Sequence, residues 1–150
     1  MKRCLLLLLV LVAVLAAAES GSRVVYVGGT MPGVKSKSDL RIDLLEDDAL
    51  KVSGHGRSFL IPYREVNTLE YGLRVSRRYV EAALISPVFL AAKKKTHFLT
   101  IGYTDSDGKR QAMILEVGKE QIRALLVSLE ARTGRRVEYQ DEEARKAGKG

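Results

Sequence analysis

His55 and His97 are the only imidazoles in this chain of 150 residues, so histidine-based acid–base or metal chemistry must use one of them. His55 stands between two turn glycines, Gly54 and Gly56, and His97 follows Lys93, Lys94 and Lys95 at the start of an apolar stretch. Both are expected in solvent rather than at a catalytic centre. A zinc site would have to join these two to carboxylates from distant segments, and no His-Glu-x-x-His spacing exists. The one cysteine, Cys4, lies in an N-terminal apolar run, which leaves the remainder without a thiol nucleophile, a disulfide or a cysteine-ligated metal. No nucleophile turn suits a Ser-His-Asp arrangement. Asp105-Ser106-Asp107-Gly108 begins like a calcium loop but lacks the third ligand and the closing glutamate, so a hairpin turn is expected. Glu46, Asp47 and Asp48 read as a solvated turn whose carboxylates would hold a divalent ion only weakly. Gly28-Gly29 and Pro32-Gly33 are followed by no helix and form no phosphate loop. The expectation is a chain without catalytic residues, bound metal or cofactor.

The cations are the more informative residues. Arg74, Arg77 and Arg78 on one side, and Lys93, Lys94 and Lys95 on the other, bracket the apolar run Tyr79 to Ala92, YVEAALISPVFLAA. Between Arg74 and Lys95 six basic residues face Glu81 alone, an excess of +5. A dozen apolar residues are too few to span a bilayer of about 30 Å, but Leu84, Val88 and Phe89 can lie at the interface with the cations among the headgroups. The same residues can instead pack into the core, a protein partner or a second copy. Pro87 forbids a central strand in either case. Nucleic acid is disfavoured, because the cations lack the exposed aromatic interleaving that stacks bases, and export, predicted from the N-terminus, disfavours it further.

The N-terminus has its own pattern. Lys2 and Arg3 precede fifteen unbroken apolar residues, Cys4 to Ala18, ending in Ala16-Ala17-Ala18. This predicts a secretory signal peptide over residues 1–18, cleaved between Ala18 and Glu19, and therefore export to the periplasm, cell envelope or medium. Cys4 precedes the apolar run, whereas a lipidated cysteine must follow it. The formal charge of +7 falls to +5 without Lys2 and Arg3, with 23 of the 25 basic residues then facing 18 acidic ones. With 46% apolar and 29% charged residues the composition is globular, which excludes disordered and collagen-like classes.

Short strands must position these groups. Leu40, Ile42 and Leu44 alternate with Arg41 and Asp43; Phe59, Ile61 and Tyr63 follow; Leu69, Tyr71, Leu73 and Val75 alternate with Glu70, Gly72 and Arg74. Further strands are predicted at 23–27, 49–53, 97–104 and 110–117, with turns at Gly54-His55-Gly56 and Asp105 to Gly108. After Gly118 the period becomes helical: Ile122, Leu125, Leu126 and Leu129 stand at i, i+3, i+4 and i+7, so a helix is expected from Lys119 to Thr133 with Gly134 as its stop. Residues 141–150 are charged or small and are expected to fray. The fold class is mainly β (α+β), about seven antiparallel strands capped by one C-terminal helix.

This order of elements, with SFLIPYREVNTLEYG (Ser58 to Gly72) and FLTIGYTDSDGKRQAMILEVG (Phe98 to Gly118), resembles the pleckstrin-homology-like superfold in its bacterial and GRAM-like branches. The resemblance covers most of the chain after residue 18 and implies a partly open barrel over 19–140. In phosphoinositide-binding members a basic signature follows the first strand. Lys35, Lys37 and Arg41 occupy that stretch as possible anion-binding residues, but Asp43 stands where the signature closes and the chain has no tryptophan. Together with the N-terminal pattern and the 74–95 segment, the resemblance implies an exported, non-enzymatic binding module whose segment 74–95 meets a membrane surface or a protein partner. The alternative is a structural envelope protein that uses the same segment to form a homo-oligomer.

Overall fold

Period-two alternation builds the strands. Val24 and Tyr26 in β1 (Ser22–Gly29), Leu40 and Ile42 in β2 (Ser38–Asp43), and Leu50 and Val52 in β3 (Ala49–Gly54) all point to one buried side. The computed structural model describes residues 21–82 and 96–150. β4 (Arg57–Pro62) turns through a 3₁₀ corner, Tyr63–Glu65, into β5 (Val66–Gly72), and a short helix α1 (Arg77–Glu81) follows. β6 (His97–Thr104) and β7 (Arg110–Val117) form a hairpin, and α2 (Lys119–Thr133), β8 (Glu138–Tyr139) and α3 (Glu142–Lys149) complete the described chain.

The strands form one sheet in the order β4-β3-β2-β1-β7-β6-β5-β8. Every neighbouring pair is antiparallel except β5 and β8. Inward side chains from β1 to β7 share a single apolar cluster with α2, so the sheet must curl around one core. β4 and β5 are joined by the corner but not by ladder hydrogen bonds, and the curl stays split between them.

α2 closes the core with the expected stripe: Ile122, Leu125, Leu126 and Leu129 are all buried. Each contributes about 1.5 to 3 kcal/mol through burial. Gly134, at φ 68°, ends the helix in the left-handed conformation. Near this end Arg132 lies over the Tyr63 ring, 5.8 Å to its centre, and donates to the Glu46 carbonyl at 3.3 Å. Tyr63 in turn donates to the Leu44 and Glu46 carbonyls, at 3.4 and 3.3 Å. These contacts pin the helix to the corner beside the split.

The mainly β, α+β class therefore holds, and three details differ from the expectation. Eight strands form the sheet, because Glu138–Tyr139 adds a parallel strand at the β5 edge; two residues carry no alternation to read. β5 stops at Gly72 rather than running to Val75. Residues 141–150 form α3 rather than fraying: the Asp141 carboxylate accepts from the Ala144 amide at 2.7 Å, and Ala144 is fully buried. Tyr139 and Tyr71 supply the apolar partner. A Cβ built at Gly148 would stand 2.7 Å from Tyr139 and 3.1 Å from Tyr71, so α3 lies close against both rings. The expected cleavage site, Ala18 and Glu19, lies outside the described residues.

Candidate functional site, a cleft at the split in the sheet

The open edge of β4 follows from its hairpin. Turn residues His55 and Gly56 have φ of 50° and 73°, the two-residue turn that matches strand twist, so Gly54 and Arg57 close the hairpin as a hydrogen-bonded pair. Antiparallel pairing then alternates: Phe59 and Ile61 exchange hydrogen bonds with Val52 and Leu50, while Ser58, Leu60 and Pro62 turn their backbone groups away from β3. The free edge thus presents the N–H groups and carbonyls of Ser58 and Leu60, while the Pro62 carbonyl caps the 3₁₀ corner. Among the described residues none pairs with the Ser58 and Leu60 groups. Pro62 sits where no donor is needed.

A cleft of about 810 Å³ opens along this edge. One wall is Ser58 to Pro62 with Arg64 and Glu65, the other is Tyr103 to Ser106 with Gly108 and Gln111, and Pro32 closes one end. Phe59, Ile61 and Tyr103 make it apolar, and Leu60 is 63% exposed. The Arg57 guanidinium lies against Gly33 and ties the loop carrying Pro32 to the start of β4.

The opposite wall is stiff. In the β6–β7 turn the Asp105 carboxylate accepts from the amides of Asp107 and Lys109, at 3.0 and 2.9 Å, and from the Gln111 side chain at 2.6 Å. These bonds, the Gln111 one foremost, hold its carboxyl below the ordinary range, so it stays ionised beside the cleft. The Asp105–Gly108 segment is a hairpin turn, as its composition predicts. Among the described residues no three metal-ligating side chains come together.

The other sheet edge is closed by the chain itself. The Gln140 amide donates to the Tyr71 carbonyl at 3.1 Å, and α3 covers the Tyr71 and Tyr139 rings. Beneath them the Tyr71 hydroxyl meets His97 Nδ1 at 2.5 Å. Burial, then Tyr139, pushes Tyr71 up to about 12, while burial, then Lys119 and Arg123, lowers His97. The phenol therefore keeps its proton and donates to a neutral imidazole. His97 is a half-buried structural partner rather than the solvated residue expected, because its odd position in β6 puts it on the inner face with Leu99 and Ile101.

The predicted contact cations separate into groups. Arg74 and Arg77 stand exposed. Arg78 is also exposed, but its guanidinium bonds the buried Glu70 carboxylate, which also accepts from the Tyr79 hydroxyl at 3.2 Å and the Gln140 side chain at 3.0 Å. Lys35 and Lys37 lie in the exposed loop after β1, whereas Arg41 sits in β2 across from Arg23. Four steps of extended chain separate Lys37 from Arg41, about 13 Å between their backbones. Leu84, Val88, Phe89, Lys93, Lys94 and Lys95 lie outside the described residues.

The cleft was not singled out by the sequence reading, yet a signal existed. Leu60 breaks the alternation of Phe59 and Ile61 with an apolar residue where a polar one belongs, and Pro62 marks an edge. The buried Glu70 had no such signal, since alternation assigns it to the outer face in any case. No family model matches the chain, and neither does any curated protein.

Proposed function

We propose that this chain is an exported, non-enzymatic binding module of pleckstrin-homology-like type whose partner is a protein. The cleft along the β4 edge carries the reading: it joins unpaired backbone groups, an apolar floor and an exposed leucine on one rigid frame. The strand order, with its split between β4 and β5 and a helix over the core, supports the fold assignment. Export rests on the N-terminal pattern of residues 1–18. A membrane-facing role for segment 74–95 is the second reading, favoured by the exposure of Arg74 and Arg77 at its start.

The two are separated by photocrosslinking residues placed at Leu60, Arg74 and Arg77 in cells that export the chain. A discrete polypeptide adduct from any of the three supports a protein partner. If none forms, and the exported chain floats with anionic phosphatidylglycerol vesicles but not neutral ones, with flotation lost when Leu84, Val88 and Phe89 become serine, the membrane reading replaces it. Neither adduct nor flotation overturns both.

A further inference from the structure

The geometry points to the occupant of the cleft: we propose that β4 takes up an extended peptide from a partner protein as an added strand. This rests on the binding-module reading above and names its ligand class. Two N–H and two carbonyl groups, those of Ser58 and Leu60, face the cleft in the alternating order of a strand edge, an array that another extended backbone matches group for group. Side chains alternate across the sheet, so every second peptide residue points to the floor beside Phe59, Ile61 and Tyr103 and is apolar. The residue between them lies beside exposed Leu60.

Charge sets the remaining preference. Arg64 and Glu65 pair at 3.3 Å, which leaves Asp105 as the surplus charge of the rim. A single lysine or arginine in the peptide meets it. The basic excess of the rest of the chain is screened beyond about 8 Å at physiological salt. A second folded copy does not fit as well, because the β6–β7 hairpin walls the cleft on its far side and admits one strand rather than a sheet edge with its neighbours.

The test is selection of displayed random octapeptides on the exported chain, with counter-selection on Leu60→Lys. Val127→Lys serves as control, since Val127 is equally exposed at 65% but lies on α2. The expected peptides alternate apolar residues and carry one cation. Synthetic versions N-methylated in the frame that meets β4 bind about tenfold more weakly for each hydrogen bond lost, and those methylated in the other frame bind normally. Leu60→Lys loses binding and melts like the parent; Val127→Lys keeps it. Peptides indifferent to N-methylation in both frames, or none enriched over Leu60→Lys, overturn the inference. So does a stable dimer in sedimentation that Leu60→Lys dissociates, because a second copy then holds the edge. A protein adduct from Arg74 or Arg77 in any of these cases leaves the broader reading standing.

Discussion

Arg78 is the residue where a surface role and a structural role predict different numbers. An exposed cation with no fixed partner is worth about 0 to 0.5 kcal/mol when removed. Here its guanidinium bonds a carboxylate whose side chain is 8% exposed, although Arg78 itself is 55% exposed. Hydrogen bonds to charged groups contribute about 1.5 to 3 kcal/mol, and breaking a buried pair costs up to about 5. Tyr79 and Gln140 still hold Glu70 after the change, and water reaches the vacated side, so the lower range applies. Arg78→Met is expected to cost about 2 kcal/mol by urea unfolding, and its double-mutant cycle with Glu70→Gln to give a coupling of about 1 kcal/mol or more. Hydrogen exchange should quicken in α1 and at Gln140 together, since Glu70 joins both. A loss under about 0.5 kcal/mol, or strict additivity of the two changes, would refute the structural role of the Arg78–Glu70 pair.

Two further outcomes are expected. Because His97 is held below its ordinary pKa, the folded chain binds fewer protons there than the unfolded one, so stability falls as pH drops from about 6.5 toward the depressed value and is unaffected above it. His97→Gln, which can still accept from Tyr71, should flatten the urea midpoint between pH 7.5 and 5.5; an unchanged slope would assign the loss to other groups. Leu126→Asp, at a position 1% exposed in the centre of the α2 stripe, should abolish folding by placing a carboxylate without a partner in the core. Near-native circular dichroism and melting in that variant would contradict the role given to α2.

Local pattern carried most of the architecture. The i, i+3, i+4, i+7 stripe from Ile122 to Leu129 placed α2 from Lys119 to Thr133 with its stop at Gly134, and alternation placed the strands around Leu40, Val52, Leu99 and Leu115. These are short-range consequences of side-chain spacing, which any seventeen-residue window contains. What alternation could not supply is who lies across from whom. Glu70 reads as an outward acid from its neighbours, and becomes a buried hub only because Arg78, Tyr79 and Gln140 arrive from two separate segments. His97 reads as a polar strand start and becomes the acceptor for Tyr71, 26 residues away. The C-terminal decade has no apolar run of its own, so its helix depends on the Tyr71 and Tyr139 rings that the sheet places beneath Ala144 and Gly148.

The cleft divides between the two levels. Phe59-Leu60-Ile61-Pro62 made β4 an apolar edge strand by composition alone, and the His55-Gly56 turn decided which of its backbone groups face outward. Its far wall came only with the curl of the sheet, which brings the β6–β7 hairpin, some 45 residues later in the chain, opposite that edge. Periodicity is a property of neighbours in sequence; a site needs neighbours in space, and those are decided by the one core that all the strands and α2 share.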